Sequence, residues 1–331
     1  MSASSFQSLL QRFFTDRLVK QLGASQYTIA AYRDAFRLLF QFASERLGRA
    51  PSELLMEDLN VAFLGQFLEH LQLNRGNCTR TRNNRLSAIR AFFQYVAISE
   101  PALALHCQRV LAIPSKRYER GPVEFLTEEE TAALVGAPNP DSWIGRRDKT
   151  LLLVAVQTGL RNSEITSLRR QDVEFGTGAH VRCLGKGRKM RSTPLRPDVA
   201  AVLKEWLSQQ GGKPDDPVFP SSNGGRLSAD AFQRLVSRHI AIARRTCPSL
   251  VPKTVTPHTL RHAAAMALLR RGVDLSVIAL WLGHESTETT QIYLHADMQL
   301  KERALAHATS SGLLPDRFRP PDPLLAFLES L

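Results

Sequence analysis

Residues 257–262 read PHTLRH, and just behind a proline they set His258 and Arg261 one helical turn apart, with His262 beside them. Pro257 suits the entry to a helix, because its missing N–H would have no intrahelical partner there. Residues three and four apart share a helix face, so His258, Arg261 and His262 can point the same way. A solvated basic helix start is the ordinary explanation of such a hexamer. Cations are nonetheless out of place in a first turn, where the helix dipole is already positive. Donors stacked there suit an anion, most simply a phosphate.

The rest of the chain narrows the choice of anion. At 331 residues it is too long for one ordinary core, which predicts two domains. Hydrophobic residues make up 43% and charged residues 22%, the balance of a globular protein. Lys and Arg total 43 against 31 acids, a net charge of +12 that suits nucleic acid or an anionic membrane surface. The longest dense apolar run, LLLVAV at 151–156, is far short of a bilayer span, and the N-terminus lacks the apolar block of a secretory peptide. A cytoplasmic protein without a membrane partner is therefore expected. Cys78, Cys107, Cys183 and Cys247 lie far apart with no CxxC pairing, and are expected to be reduced, buried thiols.

The first hundred residues read as helices. Apolar residues recur at three- and four-residue spacing through 6–23 and 25–48, each stretch closing on a glycine, and again through 61–71 and 80–98. Arg80, Arg82, Arg85 and Arg90, preceded by Arg75, have few acids among them. A solvated face would be the plain reading of one such helix, but this single-sign patch also fits phosphates. IPSKRYERGPV at 113–123, which includes Lys116 and Arg117, lacks helical periodicity and reads as an extended linker. A new domain opens at LTEEETAALVGA, where Thr127 and Glu130 have capping-box spacing and Gly136 is a plausible stop. A mostly apolar helix over 146–158 ends at Gly159. The one clear β signal follows: VEF, HVRCL, a GKGRK turn and MRSTPL. Helices resume over 196–209, 228–246, 258–272 and 274–283.

Four short stretches now stand in order: TGLRNSE (158–164), LGKGRK (184–189), HTLRH (258–262) and LGHESTETTQIY (282–293). Singly each is weak, since Arg161 could be a surface arginine, GKG a plain turn and the tyrosine a core residue. Together they resemble the tyrosine recombinase family, phage integrase and Xer-like, over nearly the whole chain. The resemblance implies a mainly α fold with a small antiparallel β-sheet: an all-helical N-terminal core-binding domain and an α+β catalytic domain, forming a clamp around DNA. The expected boundaries are 1–100 for the helical DNA-clamping domain, 101–123 for the basic linker, 124–310 for the catalytic domain and 311–331 for a tail that contacts a neighbouring protomer. Partners would be double-stranded DNA at a specific recombination site, further copies in a tetrameric synapse, and sister recombinases.

The chemistry implied needs a nucleophile, a charge clamp and an acid, and no cofactor or metal. Tyr293 would attack the scissile phosphorus and form a 3′-phosphotyrosyl link. Arg161 and Arg261, as forked donors, would hold the non-bridging oxygens. By resemblance Lys186 is the acid for the departing 5′-oxygen; Lys189 is the nearest competitor for that role and Arg188 the next, and both read otherwise as phosphate contacts. His258 would activate or accept the tyrosine proton and His284 would bind the phosphate or orient the nucleophile. His262 reads as structural, and Glu164 as a residue that orients the cations.

Other readings were open to the same residues. His258 and His262 at i, i+4 with His284 would suit zinc, but no glutamate stands between them as in HExxH and Arg261 would repel a cation. A type IB topoisomerase shares the tyrosine chemistry, and a non-catalytic DNA-binding regulator could keep the fold. The long run IYLHADMQLKERALAH (292–307) resembles integrases of bacterial mobile elements, which favours integration or transposition over chromosome-dimer resolution.

Overall fold

Residues 5–119, 123–185, 189–284, 290, 291 and 293 are described by the structure, a computed structural model. Lys186, Arg188 and the 311–331 tail fall outside that set. The chain divides into two units, Met1–Arg120 and Gly121–Leu331.

Unit one is a helical cluster built on phenylalanine. Its helices are α1 (Phe6–Arg12), continued by a wider π-type turn over Phe13–Gln21, α2 (Gln26–Leu47), α3 (Val61–Leu73), α4 (Thr79–Ser99) and α5 (Ala104–Leu111). Ser25 caps α2 by accepting from the Thr28 amide, and Gly48 ends it at φ 65°, where a side chain would be strained. Along α4 the apolar residues Leu86, Ile89, Phe93 and Val96 recur at helical spacing and are all buried. Phe92 sits at the centre, edge-on to Phe6, Phe13, Phe36 and Phe93 at centroid distances of 5.4–5.9 Å.

The segment expected as linker begins later than residue 101. Cys107, Val110 and Ile113 are buried in the same core, and among the described residues of that segment regular structure is missing from 112 to 119 and at 123. Arginines of α4 hold this strand down. Arg82 donates to the Pro114 carbonyl at 3.2 Å, and Arg90 to the Ile113 carbonyl and the Ser115 hydroxyl. Asn83 exchanges two hydrogen bonds with the Lys116 backbone, and Lys116 Nζ reaches Gln72 Oε1 at 2.6 Å. Arg82 is buried, whereas Arg75, Arg80 and Arg117 are exposed. The α4 patch is thus partly a clasp for the chain that follows it. The arginines could not reveal this in sequence, because their partners are backbone carbonyls.

Unit two starts at α6 (Glu128–Gly136), whose Thr127–Glu130 capping box forms as the spacing predicts. Gly136 is its last helical residue, not a left-handed stop, and Ala137 caps it in helical conformation. Next comes α7 (Trp143–Thr158), capped by Ser142 and starting three residues before the expected 146. Then follow α8 (Asn162–Ser167) and a three-stranded antiparallel sheet in the order β1 (Val173–Glu174), β2 (His180–Leu184), β3 (Met190–Pro194). Its register sets Val181 opposite Thr193 and Cys183 opposite Arg191, so Val181, Cys183 and Thr193 face inward. The remaining helices are α9 (Pro197–Gln210), α10 (Ala229–Ala243), α11 (Pro257–Arg270) and α12 (Leu275–Leu282). The described fold is therefore mainly α with a small antiparallel sheet, as expected. None of the described helices is long and apolar enough to cross a membrane.

The core of this unit is α7, which packs on α9 and α11. Leu151, Leu152 and Val154 meet Val199, Leu203, Leu260 and Ala263 there. The cysteines differ from expectation. All four are free, but only Cys107 and Cys183 are buried, while Cys78 is exposed and Cys247 half-buried. A small residue at a helix end is tolerated at the surface, and burial does not follow from residue type alone.

Gly159 closes α7 at φ 63°, and a Cβ there would lie 2.6 Å from Leu282 Cδ2 and 3.1 Å from Ala264 Cβ. The missing side chain lets the ends of α7, α11 and α12 converge. Gly159→Ala should therefore add over-packing of about 1–3 kcal/mol to the backbone strain. Gly48→Ala, at φ 65° in open space, should show only the left-handed cost of about 1–2 kcal/mol. Urea midpoints of the two variants check the order; equal losses would mean the convergence is looser than described.

Candidate active site

The convergence of three helix ends builds the site. Thr256 caps α11, Pro257 takes the first helical position and Thr259 bonds back to the Thr256 amide, which fixes the entry angle of PHTLRH. On the face so presented, Arg261 is buried and His262 half-buried, while His258 at the tip is exposed.

Arg261 spends its guanidinium on backbone. Nη1 donates to the Gly159 carbonyl at 2.7 Å and Nη2 to the Leu282 carbonyl at 2.7 Å. Those oxygens lie at the C-terminal ends of α7 and α12, where helical carbonyls have no intrahelical donor and the dipole is negative. Arg161 does the same one residue on, donating from Nη2 to the Gly283 carbonyl at 2.7 Å. Trp281 Nε1 donates to the Thr158 carbonyl, tying α12 to α7 again.

Glu164 organises the cations. It is buried at the third position of α8 and accepts from Arg161 Nη1 at 2.8 Å and from the Arg161 amide at 2.7 Å. Arg191 on β3 donates to both its oxygens, at 2.9 and 2.7 Å. Burial pushes the Glu164 carboxyl upward, but the hydrogen bonds from Arg191 and Arg161 outweigh that and hold it down at about 2. Burial and the neighbouring Arg161 bring Arg261 down to about 10, so it remains charged at neutral pH. Among the described residues, three guanidinium groups then stand against one carboxylate.

His262 and His284 stay neutral. His262 is lowered to about 4 by burial and then by His258, Arg261 and His284; His284 is lowered to about 4 by burial and then by Arg261, Arg161 and Arg191. His284 Nδ1 lies 2.8 Å from Thr290 Oγ1. Tyr293 is buried with its hydroxyl 2.9 Å from His262 Nδ1, and burial pushes the phenol up to about 12 against the pull of Arg261. The His258 and His262 rings lie 4.2 Å apart, centroid to centroid.

The structure thus brings together Arg161, His258, Arg261, His284 and Tyr293; Lys186 and Arg188 lie outside the described residues. Lys189 is exposed at the start of the second hairpin arm. Two residues were under-read from sequence. His262, taken as structural, holds the tyrosine hydroxyl. Arg191, unmentioned, completes the grip on Glu164. The strand alternation carried a signal for it, because Arg191 is two residues from the buried Thr193, on the inward side, and an inward arginine needs an acid. Among the described residues no group of three or more His, Cys, Asp or Glu is placed to hold a metal ion.

Residues 124–300 match the phage integrase family, and residues 10–100 match the phage integrase N-terminal SAM-like domain. "Putative integrase/recombinase y4rC" of Sinorhizobium fredii is 51% identical over 328 residues, covering 99% of each chain. Tyrosine recombinase XerC of Rhodospirillum centenum is 36% identical over 290 residues, covering 85% of this chain and 81% of its own. Among solved structures, XerH bound to palindromic difH substrate, a post-cleavage complex, shares the fold with a TM-score of 0.69 at 24% identity, covering 86% of this chain and 80% of its own. With the arginine, histidine and tyrosine set assembled around one pocket of charge, the chain belongs to the phage integrase family of tyrosine recombinases, DNA strand-exchanging enzymes that use a tyrosine nucleophile.

Proposed function

We propose that this recombinase cuts and rejoins double-stranded DNA at a specific site to integrate or transpose a mobile element. The observation that carries the biological role is the 51% identity, along 99% of both chains, to a protein named as an integrase/recombinase, against 36% to a XerC. Resolution of chromosome dimers is the second reading, and the Xer relatives favour it. A non-catalytic regulator is disfavoured, because each functional group of the reaction keeps its position in sequence.

In this reading Tyr293 is the nucleophile and Arg161 and Arg261 clamp the non-bridging oxygens. The three guanidiniums exceed the one carboxylate by two charges, which suits a phosphorane that gains negative charge as the tyrosine attacks. His284 serves the phosphate or the nucleophile segment, His258 lies where it can share in the proton transfer, and Lys186 protonates the leaving 5′-oxygen. Exposed Arg75, Arg80, Arg117 and Lys189 contact the DNA backbone, with Arg85, Lys116 and Arg188 as further contacts; Arg82 and Arg90 act by holding the linker. The helical unit, 1–100, and the catalytic unit, 124–310, would close on the duplex as a clamp, and the 311–331 tail would join protomers into a tetramer. The protein acts in the cytoplasm without a cofactor.

Three outcomes are expected. Tyr293→Phe keeps site binding in a mobility-shift assay but forms no denaturant-resistant adduct; an adduct in this variant would remove the nucleophile assignment. Cleavage by the wild type survives EDTA at matched ionic strength, and specific rescue by zinc or magnesium would reverse that reading. Lys186→Ala cleaves ordinary DNA about a hundred- to ten-thousandfold more slowly, yet recovers when the bridging 5′-oxygen is replaced by sulfur, because a thiolate leaves without a proton. Rescue of Lys189→Ala in its place would move the acid to that lysine.

A further inference from the structure

We propose that His262 is the catalytic proton acceptor for Tyr293 in cleavage, and the donor that returns the proton when the strand is rejoined. This rests on the reading of Tyr293 as nucleophile. The sequence offered His258 for the task and left His262 as packing.

The geometry points the other way. The nucleophilic hydroxyl is buried, and 2.9 Å from it stands the Nδ1 of His262. The rings of His262 and Tyr293 meet edge to face at 5.5 Å between centroids, so the imidazole fixes the direction of the phenol as well as touching its oxygen. A base must lie within hydrogen-bond reach of the proton it takes, and His262 does. Its position follows from the helix: His262 is next to Arg261, so the residue that grips the α12 end and the residue that grips the tyrosine share one turn of α11.

The surroundings explain how such a base is kept ready. Among the described residues, the groups facing His262 are His258 and Arg261 on its own helix, His284 beyond α12, and Tyr293, and none of them is a carboxylate. The imidazole therefore stays neutral at rest, with its lone pair available, while the phenol stays protonated inside its buried site. Arrival of an anionic phosphodiester between the arginines cancels part of their field and raises the basicity of His262 at the moment the proton must move. The step balances as follows. The Tyr293 O–H proton passes to His262 Nδ1, Oη bonds to phosphorus, the P–O5′ bond breaks, and the 5′-oxygen takes a proton from its own acid. In rejoining, the 5′-hydroxyl returns its proton to that acid as it attacks phosphorus, the P–Oη bond breaks, and His262 gives its proton back to the phenolate.

The probe is a duplex from the DNA flanking the gene that the wild-type chain converts to a covalent adduct. Single-turnover adduct formation is followed from pH 6 to 10 for wild type, His262→Ala and His262→Asn. Wild type should level off with rising pH. His262→Ala should be at least about a hundredfold slower at pH 7 and should gain about tenfold per pH unit, because the phenolate must form unassisted with a pKa near 12. His262→Asn retains a hydrogen-bonding group but cannot take a proton, so it should follow the alanine profile. Joining supplies the second readout. In a Tyr293→Ala background, a strand ending in 3′-p-nitrophenyl phosphate releases nitrophenolate without a proton, so adding His262→Ala should change the joining rate less than about threefold. A level pH profile in either single variant, or equal slowing of nitrophenyl joining and of cleavage, would mean that His262 only packs the site. If Tyr293→Phe still forms an adduct, the nucleophile reading itself has failed, an outcome the His262 variants cannot produce.

Discussion

Everything at the site hangs on one buried carboxylate. Glu164 holds Arg161 from α8 and Arg191 from β3, and through Arg161 reaches the Gly283 carbonyl beyond α12. Without it, two guanidiniums would repel each other in a poorly solvated pocket and β3 would lose its ion pair to α8. Removing one partner of such a buried ionic group costs about 3–5 kcal/mol, because the remaining charges are left uncompensated. The arrangement also leaves Glu164 ionised through the whole physiological range, so the cations keep their places.

The arginines are compensated in two different ways. Arg191 takes a full negative charge. Arg261 takes only the partial charges of the carbonyls at two helix ends, and Arg161 takes some of each. Backbone dipoles steady a cation without neutralising it, so the pocket keeps an excess of positive charge for a phosphate. A second acid would hold the arginines more firmly and spoil the site for an anion.

Much of this was legible in the sequence. The helices of the first unit follow from apolar spacing, the capping box at Thr127 formed where its spacing put it, and all three strands stand where the β signal was read. The order of Arg161, His258, Arg261, His284 and Tyr293 was enough to name the chemistry. What stayed hidden was partnership across distance. Nothing near His262 says that residue 293 will come to lie on it, and the four α4 arginines look alike until Pro114 and Ile113 return to Arg82 and Arg90. Residue type and spacing report which groups a helix face carries. The groups they will meet are fixed by tertiary packing, and for arginine the partner is often a carbonyl that any residue could supply.

The two carbonyls at the end of α12 have a mechanical meaning. Leu282 and Gly283 offer consecutive oxygens to Arg261 and Arg161, and the chain that leaves this helix end carries His284 and then Tyr293. The arginines proposed as phosphate grip thus share one helix end, from which the chain leads on to the proposed nucleophile. A displacement of the α12 end would carry off a carbonyl partner of each arginine at once. A protomer so built can be idle or armed as a whole, and is poorly suited to holding a phosphate in a complete clamp while its tyrosine is elsewhere.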